Sequence, residues 1–169
     1  MKYIALIVIF SMAYANSIAQ TKLDLCNEYI DYTHDKVRDF TYISTKKIWC
    51  YDAESEIILE FIIYGENTLL NVTTTGPNNC IPQHNKIYIL FTDQTRLEIT
   101  TITTSNCKGS TIAIFGEQYN NLGQIDVFMN KKIETIRIIT EGVFIQHDLT
   151  PLQSEKLMYS VRCLMKIQR

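Results

Sequence analysis

The chain has 169 residues, and 16 Lys plus Arg against 18 Asp plus Glu give a formal net charge of −2. That length suits one domain, and the charge balance excludes the broad basic surface that a nucleic-acid binder needs. A hydrophobic share of 46 % with only 6 glycines and 3 prolines excludes disordered, collagen-like and linker-like chains.

Residue usage divides the chain unevenly. Four of its six alanines (Ala5, Ala13, Ala15, Ala19) fall within the first 19 residues, whereas isoleucine occurs 25 times and threonine 18 times overall. Alanine is the best helix former and β-branched side chains suit a pleated surface, so the remainder of the chain reads as β-rich. The start, Met1-Lys2, is positive. An apolar run from Tyr3 to Met12 follows, and then small residues up to Ala19. This order predicts a secretory signal peptide over residues 1–19, cleaved after Ala19. The run is shorter than the roughly 20 residues that span a bilayer. The expectation is an exported protein, periplasmic or extracellular, with no membrane span after cleavage.

Residues 20–39 read as a polar N-terminal arm with a short helix at most, and residues 40–169 as a single β-rich domain. Phe40 to Ser44 and Lys47 to Tyr51 are short strand candidates. Glu56 to Tyr64 is apolar on both pleat faces, which predicts a central strand covered on both sides. Gly65-Glu66-Asn67 turns the chain into a strand over Thr68 to Thr74. Two prolines then mark the long loop from Thr75 to Asn85. Lys86 to Phe91 alternates cleanly. Arg96 to Thr103 returns, with a bulge at Thr100-Thr101 to keep Ile102 in phase. Thr111 to Phe115, Gln124 to Met129 and Ile133 to Ile139 are further strands. Thr140-Glu141-Gly142 predicts a three-residue hairpin loop into Val143 to Leu149. That loop would set Arg137 opposite Ile145 and Thr135 opposite His147. The period then changes. Thr150, Pro151 and Gln153 form a helix start with a capping box. Leu157, Met158, Val161, Leu164 and Met165 continue as one apolar stripe, predicting a helix over about 151–167. The expected fold class is α+β, mainly β: an antiparallel meander, as a half-barrel or sandwich, packed by one C-terminal helix.

All five cysteines (Cys26, Cys50, Cys80, Cys107, Cys163) lie beyond the predicted cleavage point. Export permits disulfides. The simplest arithmetic is two bridges and one thiol, although the odd cysteine could pair between chains and buried, reduced cysteines are the alternative. Spacing leaves the connectivity open. Cys163 points away from the centre of the helix stripe, and the arm carrying Cys26 is one candidate to cover that side.

The second half has a recognisable texture: Lys86-Ile-Tyr-Ile, Leu97-Glu-Ile, Ser105-Asn-Cys-Lys-Gly, Ile125-Asp-Val, and then Ile136-Arg-Ile-Ile-Thr leading through a hairpin to the helix. With Asp39-Phe-Thr41 and Lys47-Ile-Trp49, it resembles small exported β-rich proteins of Bacteroidetes-type Gram-negative bacteria over residues 37 to 165. The resemblance implies export and a meander ending in a hairpin and helix. It implies no activity and no site residues.

Catalytic and cofactor chemistry finds little support. Cys80, His84, Cys107 and His147 are the ingredients of a thiol hydrolase, but no spacing gathers them. Cys80-x3-His84 lacks the second tight pair of a structural zinc site, and no glycine-rich phosphate loop occurs. No metal, no cofactor and no catalytic residue is therefore expected. Arg137 stands out, because a charge on an apolar strand must find a partner or the edge of the core. It is either a snorkelling arginine paired with a carboxylate or an anion contact in a ligand cleft. His147 on the next strand is the second candidate ligand-binding residue. Threonine-rich strands could also meet a glycan. The expected function is a non-catalytic exported binding or interaction domain with a protein or glycan partner. A small hydrolase using the Cys80–His84 loop and an envelope assembly subunit pairing by a strand edge are the alternatives.

Overall fold

Alternating and doubly apolar runs become strands in nearly every place where they occur. The computed structural model describes residues 26–36, 39–77 and 79–168; the expected signal peptide lies outside the described residues. The first sheet contains β1 (Ile30–Asp35), β2 (Phe40–Thr45), β3 (Ile48–Tyr51), β4 (Glu56–Tyr64), β5 (Asn67–Thr75) and β8 (Ser110–Phe115). The second contains β6 (Lys86–Phe91), β7 (Arg96–Thr100), β9 (Ile133–Ile139) and β10 (Phe144–Asp148). Strand orders are β1-β2-β4-β5-β8, with β3 beside β4, and β10-β9-β6-β7, and all pairings are antiparallel. Helix α1 (Gly123–Asn130) precedes β9, and α2 (Pro151–Gln168) closes the chain. The expected fold class, mainly β with a C-terminal helix on antiparallel sheets, is the one observed.

The central strand β4 is paired on both edges, but its faces differ. Ile57, Leu59 and Phe61 are buried, while Ile58, Glu60 and Ile62 stay half-exposed, so only one face is fully covered. The other edge is shared by β2 and β3, which form one strand broken by an extra residue. Ile43 pairs with Ile63, whereas Ile48 pairs with Leu59, one residue out of phase. At the break the Thr45 hydroxyl accepts the Phe61 N–H at 3.0 Å. A threonine side chain thus satisfies a backbone donor that a regular ladder would have used.

Two expectations fail along this stretch, each for a local reason. Residues 124–129 are helical, not a strand. A short apolar run does not distinguish the two periods, and here the helical spacing sends Ile125 and Phe128 inward together. Phe128 stands 5.1 Å from Phe61, 5.8 Å from Phe115 and 6.2 Å from Phe91, ring centre to ring centre. One side chain therefore joins the inner faces of both sheets. Likewise β7 ends at Thr100, without a bulge. The chain leaves β6 there, and the Ile102 N–H bonds the Ile112 carbonyl of β8, leaving the Ile102 side chain exposed.

The helix end follows its sequence closely. Gln153 accepts the Thr150 N–H at 2.8 Å, and the Thr150 hydroxyl accepts the Gln153 N–H at 3.3 Å. The predicted stripe from Leu157 to Met165 is buried. Replacing Thr150 by Ala leaves an orphan donor in the first turn, so stability should fall by about 1 kcal/mol. A thermal melt should register this as a drop of roughly 2–4 °C.

The far side of α2 is covered by the start of the described chain. Cys163 is disulfide-bonded to Cys26, and Tyr159 lies 6.4 Å from Tyr29. The expected arm is therefore a docked turn followed by β1, an added edge strand. A second disulfide, Cys80–Cys107, ties the proline-bearing loop to the loop before β8. Gly109 is required beside it. Its φ is +70°, and a Cβ there would run into the Thr74 carbonyl, whose residue pairs back to the Gly109 carbonyl. Cys50 is the remaining thiol, buried on β3, and burial pushes its pKa up to about 11. It is protonated and inert.

Candidate functional site

The two candidate residues, Arg137 and His147, separate because of one residue in a loop. The hairpin between β9 and β10 has a four-residue loop, closed by the Thr140 N–H on the Val143 carbonyl at 2.9 Å, with Gly142 at φ +92°. The expected three-residue loop is thus one residue too short. Arg137 faces Gln146, not Ile145, and His147 faces Ile136, not Thr135. A slip of one residue exchanges the faces of a strand. His147 consequently turns inward and is buried, while Arg137 turns outward and is exposed.

His147 ties the two sheets together. Its Nε2 lies 3.1 Å from the Ser55 hydroxyl, and its Nδ1 lies 3.6 Å from Asp52 Oδ2. Asp52 anchors the turn between β3 and β4: its Oδ1 accepts the Glu54 and Ser55 N–H groups at 2.8 and 2.9 Å. Those backbone bonds, with a smaller contribution from His147, hold its carboxyl below the usual aspartate range. Serine, histidine and aspartate side by side suggest a nucleophile relay, but the arrangement is a triangle. His147 does stand between the other two, but its 3.6 Å separation from Asp52 is too long for the hydrogen bond that orients a relay histidine, and the Ser55 hydroxyl also approaches the same carboxylate at 3.5 Å. The two N–H groups that could stabilise an oxyanion are spent on Asp52. The node is a polar clasp.

The hydrolase ingredients do not assemble either. Cys80 and Cys107 are bonded to each other, so neither offers a thiolate. His84 sits exposed at the loop end, in contact with Gln83. Among the described residues no group of three or more His, Cys, Asp or Glu side chains converges as a metal site.

The outer face of the second sheet is different. Its register lays out rows of side chains across four strands. One row runs Arg96, Leu90, Thr135, Asp148; the next runs Glu98, Tyr88, Arg137, Gln146. Ile139 and Phe144 lie opposite each other in the third. The opposite face carries Ile87, Ile89, Phe91, Ile136 and Ile138 into the core, as period-two patterning requires. An open depression of about 740 Å³ lies on the outer face, floored by half-buried Tyr88, Leu90 and Ile139. Arg137 lines it. Its Nε donates to Gln146 Oε1 at 2.8 Å, and its guanidinium carbon lies 4.3 Å from the centre of the Phe144 ring.

Charge on this face is unevenly spent. Lys86 pairs with Glu98, which raises the lysine pKa, and Asp148 accepts the Thr135 hydroxyl at 2.7 Å. Arg137 meets no carboxylate among the described residues. Its partners are an amide and an aromatic ring, which fix its orientation without neutralising it. Tyr88, Gln146 and Phe144 were not singled out from sequence. The polar face of β6 and a four-residue hairpin loop are the signals that would have found them. Comparison of the chain with protein-family models, with curated proteins and with solved structures finds no match.

Proposed function

We propose that this protein is an exported, non-catalytic binding domain that takes a carboxylate-bearing ligand on the outer face of its second sheet. The observation that carries the reading is Arg137: a guanidinium oriented by Gln146 and Phe144, unpaired with any carboxylate among the described residues, lining an open depression. A planar fork of donors suits a carboxylate in two-point contact. Tyr88 and Ile139 supply apolar area beside it, as ligand sites generally combine a few polar anchors with apolar walls. Export is supported by the N-terminal residue pattern and by two disulfides, which persist in oxidising compartments. No helix among the described residues is long and apolar enough to cross a membrane.

Titration of the labelled protein with uronic-acid oligosaccharides and with acidic peptides tests the reading. Amide shifts should concentrate at Tyr88, Thr135, Arg137 and Gln146. Arg137→Ala should weaken binding by about ten- to a hundredfold, the worth of a charge-assisted hydrogen bond, and Arg137→Lys should fall between. Shifts clustered elsewhere, or an unchanged affinity in Arg137→Ala, would overturn it.

A further inference from the structure

Sheet edges are where a β-rich chain meets other chains, and the edges of this one are treated differently. The open edge of β8 is covered by its own chain. Asn106 Nδ2 donates to the Ser110 carbonyl at 3.0 Å, the Ile102 N–H to the Ile112 carbonyl at 2.9 Å, and Asn121 Nδ2 to the Ile114 carbonyl at 2.7 Å. The edge of β10 packs against β3 and β4 of the other sheet, where His147 forms its clasp. Within β1 both full charges, Asp31 and Asp35, are acidic, so it offers no opposite pair to a copy of itself.

β7 is the exception. The Phe91 N–H bonds the Thr95 carbonyl at 3.0 Å, and the Thr101 N–H bonds the Asn85 carbonyl at 2.8 Å. In an antiparallel pair, bonded and unbonded positions alternate. The odd-numbered residues of β7 therefore turn their backbone groups toward β6, and Arg96, Glu98 and Thr100 turn theirs outward. Among the described residues nothing bonds those outward groups. Arg96 and Glu98 also share the outer side-chain face, two positions apart and opposite in charge, and Glu98 in addition carries the ion pair to Lys86 within its own sheet.

We infer that β7 pairs with the β7 of a second copy of this chain, antiparallel about a two-fold axis at Leu97. In that register Arg96 lies opposite the partner subunit's Glu98, and Glu98 opposite the partner subunit's Arg96. Four backbone hydrogen bonds form between the outward groups. Leu97, half-buried at the rim, meets the partner subunit's Leu97 at the close, unbonded position. The neighbouring registers centre on Glu98 or on Arg96 and set like charges face to face, which is destabilising. Charge complementarity therefore selects both the partner and the register. The contact is isologous and closes after two subunits. It joins the two outer faces into one continuous surface and leaves Arg137, two strands in, uncovered. It does not rest on the carboxylate reading.

Sedimentation equilibrium of the full, oxidised chain tests the inference. The wild type should show a concentration-dependent monomer–dimer equilibrium. Arg96→Glu and Glu98→Arg should each weaken self-association by about tenfold or more, since two attractive cross-strand pairs become repulsive. An equal mixture of the two variants should dimerise again, because each then carries the charges the other lacks. The combined variant R96E/E98R should recover in part, since E98R also sets a like charge beside Lys86. Recovery on mixing shows that both variants are folded. A wild type that stays monomeric at millimolar concentration would overturn the inference. So would a dimer that the single swaps leave intact, or swaps that weaken it without recovery on mixing.

Discussion

Replacing Cys26 and Cys163 together by alanine should cost about 4–5 kcal/mol of stability, read from denaturant midpoints under non-reducing conditions. The bridge closes 137 residues of sequence, against 27 for Cys80–Cys107. Loop-closure entropy grows with the logarithm of that length, so the longer bridge should be worth about 1.4 kcal/mol more. Its loss should also be local in character. β1 is exposed along most of its length and is held by its ladder to β2 and by the turn that Cys26 anchors on α2. Hydrogen exchange should therefore show β1 losing protection before the rest of the first sheet. Marginal stability, of the order of 5–15 kcal/mol, makes this the covalent bond the fold can least spare. If the two double-alanine variants lose equal stability, or if β1 keeps its protection without the bridge, this account of the N-terminal edge is wrong.

Phe128→Ala should be the most damaging single apolar truncation, at about 3–5 kcal/mol. The ring touches Phe61 and Phe115 from the first sheet and Phe91 from the second. Removing it leaves a void that neither sheet can fill alone, because a collapse toward one withdraws from the other. Leu122, exposed just before the same helix, is the control: its truncation should stay within roughly 0.5 kcal/mol. Chemical denaturation of the two variants separates loss of a packed ring from loss of an exposed apolar side chain at the start of the same helix. Comparable losses would show that the aromatic cluster is not what joins the sheets.

Much of the fold was legible because it is encoded locally. The alternation of Lys86–Phe91 stated both the strand and its inward face, and Ile133–Ile139 was legible as a strand. Thr150 and Gln153 stated where α2 begins, since a capping box is complete within four residues. Gly142 marked the hairpin. Two disulfides and one thiol were the simplest arithmetic for five cysteines in a chain that reads as exported, and the structure adds that the thiol, Cys50, is buried.

What the sequence left undecided was set at long range. Gln124 to Met129 fits either period, and the aromatic pocket between two sheets chose the helix that brings Ile125 and Phe128 inward together. Whether the hairpin loop holds three residues or four depends on the Thr140–Val143 closure, and that one residue decides that His147 clasps the sheets while Arg137 faces outward. The pairing of Cys26 with Cys163 needed α2 and the first turn to meet in space, which no spacing along the chain encodes. Periodicity and caps are properties of a few neighbouring residues. Register, packing and disulfide partners are properties of elements that meet only after the chain has folded.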